Sequence, residues 1–200
     1  MASKAEPFSC DLSGREVIVC VCGGIAAYKV CEVVSRLVQA GAGVTVAMTR
    51  SAQRFVGPTT FQALSGRSVL TDLWSSAHGP SVQHISLTER ANLIVVAPAT
   101  ANVLGKIAGG IADDIVTTLV ISAASPVLIA PAMNPRMWKN PAVADNLATL
   151  NSRAFAVVGP GEGWLACRSE GAGRMAEPDE ILSKAEKLLT VEAKVQRERP

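Results

Sequence analysis

Short apolar runs that alternate with helix-like segments constrain this chain more than any other feature. Val17 to Val21, Val44 to Met48, Leu93 to Ala97, Val127 to Ala130 and Phe155 to Val158 read as strands. Between them lie helical patterns. Ile25 to Ala40 is stopped by Gly41, a second pattern surrounds Phe55 to Leu64, and Asp113 and Asp114 begin a third over Ile115 to Ala124. Pro141 to Leu150 follows, and residues 178 to 195 form a charged closing helix whose tail, Gln196 to Pro200, is expected to fray. Strands alternating with helices in this order predict an α/β fold, a doubly wound parallel sheet of Rossmann-like type. Aromatics make up only 4% of the chain, so the core must be built from Val, Ile, Leu and Ala, which suits parallel strands covered by helices. Two hundred residues at 48% hydrophobic content fit one domain, read here as residues 14–190 between tails 1–13 and 191–200.

Several function classes drop out. A net charge of +2 without a basic stripe gives no footprint for nucleic acid. No apolar run reaches the roughly 18 residues that a membrane span needs. Met1 to Asp11 lack the charged-then-apolar order of a signal peptide, so a cytoplasmic protein is expected. Cysteines stand at 10, 20, 22, 31 and 167. Cys20 and Cys22 share one face of a strand, but no second pair offers zinc-ligand spacing, and no metal is expected. The first four read as small apolar residues.

Three segments carry chemistry. The first strand empties into Cys22-Gly23-Gly24-Ile25, where glycines at a strand-to-helix junction let a phosphate approach backbone N–H groups. This is neither a dinucleotide fingerprint nor a P-loop. The second strand ends in Thr49-Arg50-Ser51, without the acidic residue that would hold an adenosine ribose. A single phosphate fits better, and flavin mononucleotide is the candidate. The Gly-Gly turn alone does not separate a phosphate loop from an ordinary tight turn. After the third strand, Ala97-Pro98-Ala99-Thr100-Ala101-Asn102 has side chains small enough for a flat ring to lie on, and it would serve equally as a helix start. After the fourth, Pro131-Ala132-Met133-Asn134-Pro135 is a turn stiffened by proline on both sides, with Asn134 either capping a short helix or facing a ligand.

Taken in order, Gly23 to Lys29, His84, Ala97 to Asn102, Pro131 to Asn134, and Ala166-Cys167 with Gly171, Gly173, Arg174 and Met175 resemble the flavin-dependent cysteine decarboxylase family over roughly residues 14 to 190. The resemblance implies FMN as cofactor and, as activity, decarboxylation of 4′-phosphopantothenoylcysteine to 4′-phosphopantetheine in coenzyme A biosynthesis. An acylated cysteine has no electron sink for departing CO₂, and oxidation of its thiol carbon to a thioaldehyde creates one. The implied catalytic residues are His84 as base, Asn134 on the substrate carboxylate or amide, and Cys167 as proton donor. Gly23, Gly24, Ile25, Thr49, Arg50, Ser51, Thr100, Ala101, Asn102, Val103 and Ala132 would line the flavin, and Trp164, Leu165 and Ala166 would touch substrate. The glycine-rich run around Cys167 would act as a lid. Where the family commonly has Gly-Asp after the cysteine, this chain has Arg168-Ser169. Relatives imply a homo-oligomer, a trimer or a dodecamer, for which Trp138 is an exposed-looking apolar candidate. The alternatives are a decarboxylase of C-terminal peptidyl cysteine, a flavin prenyltransferase, which ranks low, and a non-catalytic flavin-binding regulatory subunit.

Overall fold

β1 (Glu16–Val21), at the middle of the molecule, pairs in parallel with β2 (Gly43–Met48) on one side and β3 (Leu93–Ala99) on the other. β4 (Val127–Pro131) and the two-residue β5 (Ala156–Val157) extend the same sheet, giving the order β2-β1-β3-β4-β5, parallel throughout. This computed structural model describes residues 11–74 and 83–197, with the backbone alone at 83, 84 and 191–197. The doubly wound sheet expected from the sequence is the one observed.

The burial pattern explains why these runs became parallel strands. In β1 the odd residues Val17, Val19 and Val21 enter one core and the even Ile18 and Cys20 the other, and both sets are fully or nearly fully buried. β3 divides likewise, Leu93 and Val95 against Ile94 and Val96. Side chains of a strand alternate between faces, so a run apolar at every position must be covered on both. One cover is α1 (Ala27–Gln39), α2 (Pro58–Ser65) and α8 (Pro178–Arg197). Ala27, Val30, Val34 and Leu37 form the inward stripe of α1, and Ile181, Leu182, Ala185 and Leu189 that of α8. The other cover is α4 (Ala101–Ala108), α5 (Ile115–Ile121) and α7 (Pro141–Ser152), with α3 (Gln83–Arg90) packed against α5. Burying each Val or Leu in these stripes is worth about 1.5–3 kcal/mol relative to leaving it exposed.

Several local expectations change. Among the described residues Leu12, ahead of the expected domain start, is 2% exposed and donates its N–H to the Ala40 carbonyl at 2.8 Å. Phe55 lies outside α2, because a 3-10 turn at Ala52–Arg54 precedes it and Gly57 and Pro58 start the helix afresh. The segment at 101–108 is a full helix, and the run at 155–158 pairs only through Ala156 and Val157. The glycine-rich segment expected as a lid loop is an antiparallel hairpin, β6 (Gly161–Trp164) with β7 (Glu170–Arg174). A four-residue helix, α6 (Pro135–Trp138), follows the proline turn. Trp138 is half-buried, and the exposed apolar side chain there is Met137. His84 falls in α3 with its side chain outside the described residues, as His78 is entirely. Among the described residues no helix is long and apolar enough to cross a membrane.

α7 ends where Ala154 takes a left-handed φ of 62°, the Phe155 N–H reaching back to the Leu150 carbonyl at 3.2 Å. Glycine normally fills that position because a Cβ costs about 1 kcal/mol there. Ala154→Gly is therefore expected to raise the thermal midpoint by about 2–4 °C for a chain of this size, read by circular dichroism. A lowered midpoint would show that the alanine methyl has a packing role that outweighs its backbone strain.

Candidate functional site

Beyond their carboxyl ends, β1 and β3 send the chain to opposite faces of the sheet, β1 into α1 and β3 into α4. The strand order reverses between them, which is where open α/β sheets leave a crevice. A cleft of about 1110 Å³ lies there, above the roughly 300–1,000 Å³ of ordinary small-molecule sites and roomy enough for two ligands side by side.

One wall is built from the ends of four strands, β1 to β4. Gly23, Gly24 and Ile25, Thr49 to Ser51, Thr100 to Val103, and Ala132 all line it. The first two loops interlock. The Thr49 N–H donates to the Val21 carbonyl at 3.0 Å, and a Cβ on Gly23 would sit 2.4 Å from the Ser51 Cβ. Only glycine lets these backbones approach so closely. α1 then begins with no side-chain cap and no acidic residue in its first turn, so its positive end is open to an anion. α4 differs: the Thr100 hydroxyl accepts the Val103 N–H at 3.4 Å, so Thr100 is the helix start that the sequence allowed.

The opposite wall comes from the proline turn and the hairpin. Asn134 caps α6, its Oδ1 accepting the Met137 N–H at 2.9 Å. That bond assigns the amide: the oxygen is used in the cap, and the Nδ2 donors are not. Asn134, Trp164, Leu165, Ala166 and Cys167 all line the cleft, and Trp164 is 63% exposed. The hairpin is seated on the turn by close backbone contact. The Met133 N–H donates to the Gly173 carbonyl at 2.9 Å, and a Cβ on Gly173 would lie 2.2 Å from the Met133 oxygen. The cofactor and substrate residues expected from the sequence all line this cleft, as does Cys167, whereas the His84 side chain lies outside the described residues.

The cleft also holds charged residues to which the sequence assigned no role. Lys29 of α1 and Arg174 of β7 share Glu177, at 2.8 and 2.5 Å. Lys106 reaches Asp113 at 2.6 Å and Asp114 at 3.1 Å, and the Asp113 hydrogen bond leads in raising its pKa. Lys106 stands one turn after Asn102, so helical spacing from the expected contact was the available signal. Arg50 forms no ion pair among the described residues. Nor does any cluster of His, Cys, Asp and Glu among them suit a metal.

Comparison with known proteins adds to this geometry. The family described as Flavoprotein matches residues 6–190. The chain is 52% identical over 176 residues to the coenzyme A biosynthesis bifunctional protein CoaBC of Bacillus subtilis (strain 168), covering 88% of this chain and 43% of that protein. Its identity to CoaBC of Mycobacterium tuberculosis (strain ATCC 25618 / H37Rv) is 49% over 175 residues, covering 88% and 41%. The chain thus spans less than half the length of the curated relatives it matches. Among solved structures, a cysteine-to-serine mutant of a PPC decarboxylase complexed with pantothenoylaminoethenethiol superposes with a TM-score of 0.77 at 31% identity, over 86% of this chain and 97% of that one. The FMN-dependent cysteine decarboxylase SpaF gives 0.79 at 31% identity, over 91% and 99%.

The cysteines differ sharply in exposure. Burial pushes the Cys22 thiol up to about 12, and Cys20 is likewise raised by burial, whereas Cys167 is exposed. At pH 8 about one Cys22 in ten thousand is thiolate, the reactive form. Brief treatment of the folded protein with iodoacetamide, followed by peptide mass mapping, should label Cys167 and leave Cys20 and Cys22 intact until denaturant is added.

Proposed function

This chain belongs to the flavoprotein family, and we propose that it decarboxylates 4′-phosphopantothenoylcysteine to 4′-phosphopantetheine with FMN as cofactor. The observation that carries the reading is one cleft at the sheet's switch point. It holds the glycine loop, the small-residue loop, the Asn134 turn and Cys167 together. The relatives that share the reading are CoaBC proteins and a PPC decarboxylase. We infer a cytoplasmic homo-oligomer, a trimer or a dodecamer. Exposed apolar Ile25, Tyr28, Met137 and Trp164 beside an open cleft support that inference.

The residues present fit a flavin mononucleotide. The open end of α1 and the glycine loop at Gly23 suit its phosphate, with Thr49, Arg50 and Ser51 alongside, while the Gly24 N–H is used inside the loop, donating to the Cys22 carbonyl at 2.9 Å. The flat wall at Thr100 to Val103 and Ala132 suits its ring. An FMN held there would supply the redox chemistry, a two-electron sink for oxidation of the substrate's CH₂–SH carbon and the source of the same two electrons once CO₂ has left, so the net reaction would be redox-neutral.

The protein's own part is orientation and proton handling. Asn134 presents Nδ2 donors to the substrate carboxylate, held in that direction by the cap bond to Met137. Trp164, Leu165 and Ala166 lay an apolar surface over the substrate and exclude water. Cys167, at the hairpin tip, gives its proton to the enethiolate left after CO₂ departs. His84 is carried as the base on the resemblance alone.

The assignment is tested by mixing purified protein, FMN and 4′-phosphopantothenoylcysteine and following CO₂ and product mass. CO₂ release with 4′-phosphopantetheine supports it, whereas a yellow but inert protein would point to a peptidyl-cysteine substrate or a regulatory flavin binder. A protein that stays colourless after FMN is added would remove the flavin reading. Asn134→Asp gives a sharper check, because aspartate keeps the cap acceptor and replaces the outward donor by an anion. The variant should keep its thermal midpoint and FMN spectrum while kcat/KM falls at least a hundredfold, the loss expected when a donor to a charged group becomes a repelling charge.

A further inference from the structure

The turn joining β6 to β7 holds two groups within hydrogen-bond distance that no role yet connects. Cys167 Sγ lies 3.1 Å from Ser169 Oγ. The turn around them is closed from both sides. The Arg168 N–H donates to the Leu165 carbonyl at 2.9 Å, and the Leu165 N–H donates to the Ser169 carbonyl at 2.9 Å. Arg168 between them takes a left-handed φ of 60°, a conformation an L side chain rarely adopts. With the backbone bonded on either side of it, the Ser169 hydroxyl is held next to the sulfur. Non-glycine residues in such strained positions cluster at functional sites.

We propose that Ser169 is a positioning residue for Cys167: it orients the thiol toward the cleft and donates a hydrogen bond to the thiolate formed when the proton is delivered. The inference rests on the decarboxylation reading and adds a residue to it. In the proton step the enethiolate C=C pair takes the Cys167 proton onto the carbon that carried CO₂. The S–H pair stays on sulfur as a thiolate. The Ser169 O–H bond does not break; it rotates from accepting the S–H to donating to the anion, and solvent later reprotonates Cys167. Hydrogen bonds to a charged group are the strong ones, so a hydroxyl here acts mainly on the state after proton transfer. Where the resemblance leads one to expect an acidic side chain at this position, a neutral donor is present.

The test compares wild type, Ser169→Ala and Ser169→Thr, all loaded with FMN, in two assays. Steady-state decarboxylation should show kcat about tenfold lower in Ser169→Ala with KM within twofold of wild type, and Ser169→Thr should recover most of the loss. Independently of substrate, iodoacetamide should alkylate Cys167 several-fold more slowly in Ser169→Ala at pH 8, with Ser169→Thr near wild type. An active wild type with Ser169→Ala matching it in either kcat or alkylation rate would overturn the inference while leaving the decarboxylase reading in place. Failure of threonine to rescue would do the same, since it would trace the loss to the shape of the turn. A wild type that binds FMN and releases no CO₂ would remove the decarboxylase reading, and the role of Ser169 with it.

Discussion

A parallel strand cannot return to its neighbour through a tight turn; it needs a crossover, and the crossover helix must lie on one face of the sheet. In this chain β1 has parallel partners on both sides, and its residues are buried toward both faces. Those two facts settle the rest of the layout. α1 must leave the end of β1 toward one face and α4 must leave the end of β3 toward the other. The adjacent strand ends are therefore not roofed by either helix. The crevice follows from covering an apolar sheet on two sides, and the glycines of the Gly23-Gly24 loop open its floor to a ligand.

The second wall depends on a seam between elements distant in the chain. Gly173 of β7 exchanges backbone contact with Met133, one residue before Asn134. Gly171 brings the same strand against Pro135, a Cβ there falling 3.2 Å from the ring Cγ. The hairpin that carries Cys167 and the turn that carries Asn134 are thus one rigid assembly, with glycine required at the seam. At its other end β7 is tied to α1, because Arg174 and Lys29 share Glu177. The hairpin of Cys167, the turn of Asn134 and the start of α1 are connected through short, direct contacts, as the proposed chemistry would require of groups that must meet within a fraction of an ångström.

Much of this was legible in the residues because it depended on period and on backbone chemistry. The strand runs, the α1 stripe and the glycine loop are local signals, and Pro131 and Pro135 limited the turn around Asn134 to few conformations. The hairpin was not legible, since Gly161 to Trp164 and Glu170 to Arg174 carry almost no apolar alternation. Their pairing is sustained by contact with Met133 and Pro135, which no local pattern encodes. α3 was missed because Gln83-His84-Ile85-Ser86 offers few apolar residues for a period to register. The dual nature of Asn134, cap and donor at once, was posed in the sequence as two rival readings. The structure shows the cap, made through the oxygen, and the ligand-facing reading is compatible with it because the nitrogen is not used there.

The paired charges bear on how the cleft discriminates between anions. Lys29, Arg174 and Lys106 all line it, and none is without a carboxylate: Lys29 and Arg174 share Glu177 and keep one positive charge between them, whereas Lys106 faces two aspartates. The cleft is lined by the uncapped start of α1 and by Arg50 on one side and by Asn134 on the other. Directional donors read the shape of a phosphate or carboxylate, whereas a cluster of free cations would attract any anion. A substrate with a carboxylate at one end and a cofactor with a phosphate at the other would then be sorted by where donors point. The ion pairs serve this sorting by holding α1, β7 and the α4–α5 connection in place.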